Sequence, residues 1–203
     1  MSKRAKRERE TRLERRRPRR EERPVYLVVC EGETEKAYFD GMKRHPDVHM
    51  HTVHVRRSKH PQREVVVRSA AEAEQDEYTQ IWAVFDTDGE DVAALVAEAR
   101  RSGVEAAHST PTFETRLILH FKDHRSALVE GVRAGGALKA LLPRWTKGGT
   151  RFEDFSDGLR DACARAERLP PGGDPGTRVH LLVGAVLRPL TSEAGHGSVT
   201  GHS

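Results

Sequence analysis

The sequence predicts an α/β fold: a mainly parallel sheet of about four strands flanked by helices, followed by a helical C-terminal extension. Two apolar runs carry much of that reading. Val25 to Val29 and Ile81 to Phe85 are β-branched, aromatic or aliphatic throughout, without the polar alternation of a strand that faces water on one side, as expected of central parallel strands covered on both faces. The third observation is the material between and after them, segments with apolar residues at helical spacing. The resulting order β-α-β-α-β-α-β requires right-handed crossovers and a mainly parallel sheet.

Residues 1–23 offer only Ala5 and Leu13 as aliphatic side chains beyond Met1, so they are expected to form a disordered arm. Pro24 opens the folded part, whose core is expected over residues 24–124. After the first strand Thr34 is placed to cap a helix reaching about His45, with Ala37, Tyr38, Gly41 and Met42 on its packing side. His49 to Arg57 alternates loosely and reads as a second strand with Val53 and Val55 inward. Pro61 sits where a helix to about Glu77 would start, with Val65, Val66, Ser69, Ala70 and Ala73 as its apolar stripe. The Ile81 strand follows. Asp91 then begins a helix in which Val92, Leu95, Val96 and Ala99 keep the 3.6-residue period and which Gly103 ends.

Val104 to Ala107 makes a short fourth strand, and Thr110-Pro111 is placed to cap and start a helix carrying Phe113, Leu117, Ile118 and Phe121. From Arg125 onward three groups keep helical spacing: Leu138, Leu141 and Leu142; Leu159, Cys163, Ala166 and Leu169; and Val179, Leu182, Val183 and Val186. They predict a helical part over 125–190 packed on the core, linked by Gly- or Pro-rich turns at 146–150 and 170–176, with a disordered tail over 191–203.

Charge is unevenly spread. Residues 1–23 hold 12 Lys or Arg against 5 Glu, a net of +7 in a chain of +4, so the other 180 residues carry −3. A mildly acidic body argues against a broad basic nucleic-acid face, whereas the arm is suited to neutralise several phosphates with a strong salt dependence. A solvated tail is the plainer reading of the same charges. No run approaches the ~20 apolar residues of a membrane span, and no apolar stretch follows the N-terminal charges as a signal peptide would require. Cys30 and Cys163 are lone and far apart, which fits neither a disulfide framework nor a zinc pattern and points to a reducing cytoplasm.

The chemistry-bearing residues are acids at strand ends. The first apolar run leads into Glu31 and Gly32, the second into Asp86-Thr87-Asp88-Gly89. Two parallel strands would bring Glu31, Asp86 and Asp88 to one crevice outside their C-terminal ends, where open α/β sheets place their ligands. Three carboxylates so close repel one another unless a cation lies between them, and hard oxygen ligands in small number suit Mg²⁺ or Mn²⁺. Acids after strands also serve as helix caps, the role expected of Glu33 and Asp91. His49, His51 and His54 include an i, i+2 pair but lack thiolates or a clear third ligand. Lys147, beside Gly148 and Gly149, offers a charge and free N–H groups to a phosphate, or simply marks a turn.

The blocks CEGETE (30–35), VFDTDGE (84–90) and STPTFETRLILHF (109–121) together resemble the RloB family, a branch of the Toprim superfamily found with anti-phage and restriction loci. The strongest matches cover 25–121, and Lys147 with DPGTRVHLLV (174–183) is similar to that family's C-terminal pattern. The resemblance implies a Toprim-like core in which Glu31 is the acid or base glutamate and Asp86 and Asp88 are the metal-binding pair. Glu114 matches a further ligand or orienting residue, although it also sits where a first-turn glutamate favours the helix dipole. Thr110 and Thr112 stand where the family usually shows Asn and Cys.

On that footing the expected activity is metal-dependent phosphodiester hydrolysis of nucleic acid, with Glu31, Asp86, Asp88 and Lys147 as catalytic residues. RloB-like proteins are commonly encoded with an ABC-type ATPase, and this chain has no GxxxxGK[ST] loop, so ATP dependence would come from another subunit. A topoisomerase would need a further domain with a nucleophilic tyrosine, and a bacterial-type primase a zinc module. The contrasting reading is a non-hydrolytic Toprim-fold protein that binds nucleic acid or an ATPase as a sensor or scaffold. A third is a haloacid-dehalogenase-like phosphatase with Asp86 as nucleophile and Asp88 as acid or base. Its motif belongs on a first strand, with a later GDxxxD-like motif that Gly173-Asp174-Pro175-Gly176 does not supply.

Overall fold

The computed structural model describes residues 24–48, 52–128, 131–170 and 172–187. The expected arm over 1–23, the tail over 191–203, and His49 and His51 lie outside the described residues. In chain order the elements are β1 (Tyr26–Cys30), α1 (Glu33–Met42), β2 (Val53–Arg57), α2 (Arg63–Ala71), β3 (Gln80–Asp86), α3 (Ala93–Arg101), β4 (Val104–Thr110), α4 (Glu114–Ile118), α5 (Gly131–Leu141), α6 (Leu159–Glu167), β5 (Gly176–Thr177) and α7 (Val179–Val186).

The sheet has five strands in the order β2-β1-β3-β4-β5, parallel except for the antiparallel β4-β5 pair. The expectation of about four strands is therefore corrected to five. The extra strand is two residues long, pairing Ser109 with Thr177 and Thr110 with Gly176, and too short to show any periodicity. All five residues of β1 are buried, because the strand has a neighbour on each side and helices on each face.

Strand alternation splits the core in two. Tyr26, Val28 and Cys30 face one layer with Trp82 and Val84, covered by Tyr38, Phe39 and Met42 of α1 and by residues of the C-terminal helices such as Leu138, Leu159 and Leu182. Leu27, Val29, Ile81, Ala83 and Phe85 face the other, under Val66, Val67 and Ala70 of α2 and Ala99 of α3. Each fully buried Val, Leu, Ile or Phe contributes about 1.5–3 kcal/mol. The C-terminal helices thus share one apolar core with the sheet.

Several element details differ from expectation. The α2 helix runs from Arg63 to Ala71, shorter than the predicted 61–77, and buries Val67 while Val65 is only half-buried. Helix α1 begins after Gly32 without a side-chain cap, so Thr34 lies inside it and is buried rather than capping. Thr110 ends β4, its peptide bond to Pro111 is cis, and α4 starts only at Glu114. Asp91 does serve the start of α3, its Oδ1 accepting the Ala93 N–H at 2.9 Å.

The topology fixes where ligands belong. From β1 the chain goes to β2 on one side, then crosses back to β3 on the other, so the order reverses between β1 and β3. The crevice outside the C-terminal ends of those two strands is the switch point of the sheet.

Candidate active site

At that switch point a cleft of about 310 Å³ is lined by Glu31, Glu33, Glu35, Asp86, Glu114 and Lys147, with Gly32 and Gly148 among the backbone walls. Each acid reaches it by a different route. Glu31 follows β1 directly, and its Oε2 accepts the backbone N–H of Asp86 at 2.9 Å, so one carboxylate spans the ends of both central strands. Asp86 is the last residue of β3. Glu114 is buried in the first turn of α4. Lys147 is carried by the 146–149 turn, which Trp145 anchors by burying its ring and donating from Nε1 to Thr150 Oγ1 at 3.0 Å. Glu33 is half-exposed and paired with Arg57 at the rim.

Glu35 was not expected here. One turn into α1, it shares a face with Tyr38 and Met42 and is only 4% exposed. Sequence alone holds the signal: a glutamate at i−3 and i−7 from buried apolar residues stands on the packing face, where an unpaired carboxylate is costly and calls for a reason. Its pKa is pushed up to about 7, first by burial and then by the charges of Glu31 and Glu114, with Lys147 opposing. Burial, followed by Glu35, Glu114, Glu31 and Asp88, pushes Asp86 well above the usual carboxylate range. Glu31 is also raised, chiefly by burial, against the Asp86 N–H, Arg63 and Lys147, which favour its ionised form.

Asp88 does not line the cleft. It is exposed on the turn after β3, with φ at +52°, a left-handed conformation that Asp tolerates better than most residues, and its N–H donates to the Pro111 carbonyl at 2.9 Å. Its charge still reaches Glu31 and Asp86. The turn is held by Arg63, which, unlike Glu35, carries no sequence signal. Arg63 Nη1 donates to the Thr87 carbonyl at 2.6 Å and Nη2 pairs with Glu90 at 2.8 Å.

The donor set suits a hard divalent cation. Glu35 Oε2 and Asp86 Oδ1 are buried without a hydrogen-bond partner, and four carboxylates share one small volume with Lys147 and, at Glu31, Arg63 as the opposing charges. A cation would satisfy both orphaned oxygens and remove the repulsion. The side chains are not gathered around one point, since no three His, Cys, Asp or Glu among the described residues form a ready ligand group. His54 lies apart, edge-on to Tyr78 at the surface. No helix among the described residues is long and apolar enough to cross a membrane.

Comparison with known proteins adds one finding. The model of the family described as RloB-like protein matches residues 26–186, the span from β1 to the end of α7. No curated protein and no solved structure matches the chain.

Proposed function

We propose, for a chain that belongs to the RloB-like protein family, that the cleft is the active site of a metal-dependent nuclease that hydrolyses phosphodiester bonds in nucleic acid. The observation that carries the reading is the meeting of Glu31, Glu35, Asp86 and Glu114 at the β1–β3 switch point with two buried oxygens left unpaired. Glu31, Asp86 and Glu114 would hold Mg²⁺ or Mn²⁺, with Glu35 as an added ligand and Asp88, outside the cleft lining, adding its charge from the neighbouring turn. Bound there, the ion would offset phosphate charge and yield a nucleophilic water at neutral pH. Glu31, fixed by β1 and by the Asp86 N–H, would act as acid or base at the scissile phosphate, and its raised pKa suits proton transfer. Lys147 would steady a phosphate oxygen at the cleft mouth.

We further read the sheet as Toprim-like and the setting as a cytoplasmic anti-phage or restriction-associated system that works with an ABC-type ATPase. The acid-ended central strands and the family support the first, the family the second. The basic arm is the element best suited to hold nucleic acid. The test is cleavage of DNA and RNA in Mn²⁺, with and without an ABC-type ATPase as the proposed partner, together with calorimetry. Loss of Mn²⁺ binding in the Asp86→Asn/Asp88→Asn double variant is expected. Unchanged Mn²⁺ binding in a folded double variant would sink the metal site, and metal binding without cleavage under every condition would leave a sensor or scaffold.

A further inference from the structure

The outer edge of β4 is only partly covered. Its Ser109 carbonyl accepts the Thr87 N–H at 3.0 Å on the β3 side, and its His108 carbonyl accepts the Arg178 N–H at 2.8 Å on the other. Successive residues of a strand turn their N–H and C=O groups to opposite sides, so Ala106 presents both of its groups outward, like His108. The β5 strand pairs with Ser109 and Thr110 alone, and among the described residues the outward groups of Ala106 have no partner. Unpaired peptide groups along an edge are a template for a further strand.

That edge is the floor of a groove. A cavity of about 600 Å³ lies over Ala106, walled by Val96 and Ala97 of α3 and rimmed by Arg100, Arg101 and Arg178. It shares Val96 and Arg178 with a second cavity of about 690 Å³, which reaches Thr87, Gly89 and Glu90 in the turn that carries Asp88. Neither cavity shares a lining residue with the acidic cleft. The three arginines are exposed and have no ion-pair partner among the described residues. Of the acids along the groove, Glu90 is paired with Arg63 at 2.8 Å, Asp91 accepts the Ala93 N–H and Asp174 accepts the Leu128 N–H at 3.0 Å, which leaves Glu105 against three positive charges. The groove therefore calls for an occupant with a backbone to pair, apolar side chains to bury and carboxylates to offer. Single-stranded nucleic acid fits less well, because no Phe, Tyr or Trp lines the groove for bases to stack on. A second copy of this edge also fits poorly, since its own Arg178 and β5 already fill part of the lane where the two edges would meet.

We infer that this groove docks an extended acidic peptide segment of a partner protein, which adds to β4 in the lane that β5 leaves open at Ala106. The segment's backbone pairs with the Ala106 N–H and C=O. Its side chains alternate, so that one set, small or branched and apolar, lies against Val96 and Ala97. Its carboxylates meet Arg100, Arg101 and Arg178 at the rim, the charge match that selects it over neutral strands. The groove runs on to the Asp88 turn, so the docked segment abuts the candidate active site without entering the cleft.

The test begins with random peptides displayed on phage and selected against the full chain. They should converge on alternating Val, Ile or Thr with Asp or Glu beside them, and a synthetic copy of the enriched sequence is the probe. On binding, exchange of the Ala106 amide should slow by roughly tenfold or more, while the amide of Ala107, whose groups turn inward to β3, stays unchanged. The same peptide N-methylated at alternate residues should not bind. Arg100→Glu/Arg101→Glu alters two exposed side chains and should weaken the peptide by roughly tenfold or more, and Arg178→Glu gives an independent second variant. Failure to enrich such sequences, an Ala106 amide that exchanges equally with and without peptide, or unchanged affinity in the folded variants overturns the proposal. Displacement of the peptide by oligo-dT that itself loses affinity in those variants assigns the groove to nucleic acid, and a dimer that the peptide splits assigns it to a second copy; either result overturns it as well.

Discussion

Glu35 Oε2 occupies the space that a side chain at Gly32 would need: a methyl group built on Gly32 would lie 2.7 Å from it. Gly32 has φ of −121°, extended backbone open to any residue, so glycine is required here for room rather than for conformation. The turn from β1 into α1 is tight because a carboxylate lies folded against it.

Gly32→Ala should therefore cost little stability, within about 0.5 kcal/mol, since the atom that must give way is the tip of a flexible side chain. The same displacement swings Glu35 from its place in the cleft. Mn²⁺ affinity should fall roughly tenfold or more, the scale of disturbing a group that supports a metal site. Calorimetric melting and Mn²⁺ titration check this together, and a large loss of stability with intact metal binding would contradict it.

The raised acids give a pH dependence with a definite sign. Glu35 moves from 4.5 unfolded to about 7 folded, so between those values the folded state holds a proton that the unfolded state has released. Stability from this group is present below about 4.5 and is lost as pH rises through about 7, and Asp86 acts in the same direction. His108 and His120, both lowered, oppose it below pH 6.5, so the group is isolated by difference. In chelator, the melting temperature of Glu35→Gln relative to wild type should climb from pH 5 to pH 7.5, and Mn²⁺ should shrink the gap at the upper end. A difference that stays flat with pH would remove Glu35 from the coupled cluster.

Two glycines in the C-terminal part, Gly158 just before α6 and Gly184 within α7, should respond oppositely to alanine. A methyl group at Gly158 would meet the His120 carbonyl oxygen, a backbone atom with little room to give way, at 2.2 Å, and that oxygen also accepts from Arg165 Nη1 at 3.1 Å. Gly158→Ala should destabilise by about 1–3 kcal/mol. Gly184 is exposed in α7 with nothing near its missing side chain, so Gly184→Ala should stabilise by about 0.5–1 kcal/mol. Urea unfolding of the pair reads both.

The central strands were legible because burial on two faces leaves a run with no polar residue, and Val25–Val29 and Ile81–Phe85 are such runs. Their acids were legible for the same reason, since a strand end fixes the next side chain, and Glu31 and Asp86 do meet through a hydrogen bond. What escaped depends on tertiary contact. Two-residue β5 exists through its pairing with Ser109 and Thr110 and through the Ser109–Thr177 hydroxyl contact at 2.9 Å, none of which leaves a periodic trace. Arg63 looks like any surface arginine until the Thr87 carbonyl is placed against it. Glu35 was readable in principle, from its phase with Tyr38 and Met42, but acids after a strand suggest caps and that assumption hid it.

The sharpest discrimination lies between Glu31 and Glu33, two residues apart. Glu31 Oε2 accepts the Asp86 N–H at 2.9 Å within the cleft, whereas Glu33 turns outward to Arg57 and is 56% exposed. In Glu31→Gln the amide oxygen can still accept from Asp86, so the strand ends stay joined and the fold should hold. The variant loses the ability to take or give a proton at neutral pH, and turnover should drop by roughly two to four powers of ten, the usual scale for a general acid or base. Glu33→Gln loses only an exposed ion pair, worth about 0–1 kcal/mol, and should stay near wild-type rate. Single-turnover cleavage in Mn²⁺, with and without an ABC-type ATPase as the proposed partner, separates the two. Equal rates for wild type and Glu31→Gln would take Glu31 out of the chemistry and leave the cleft as a binding site.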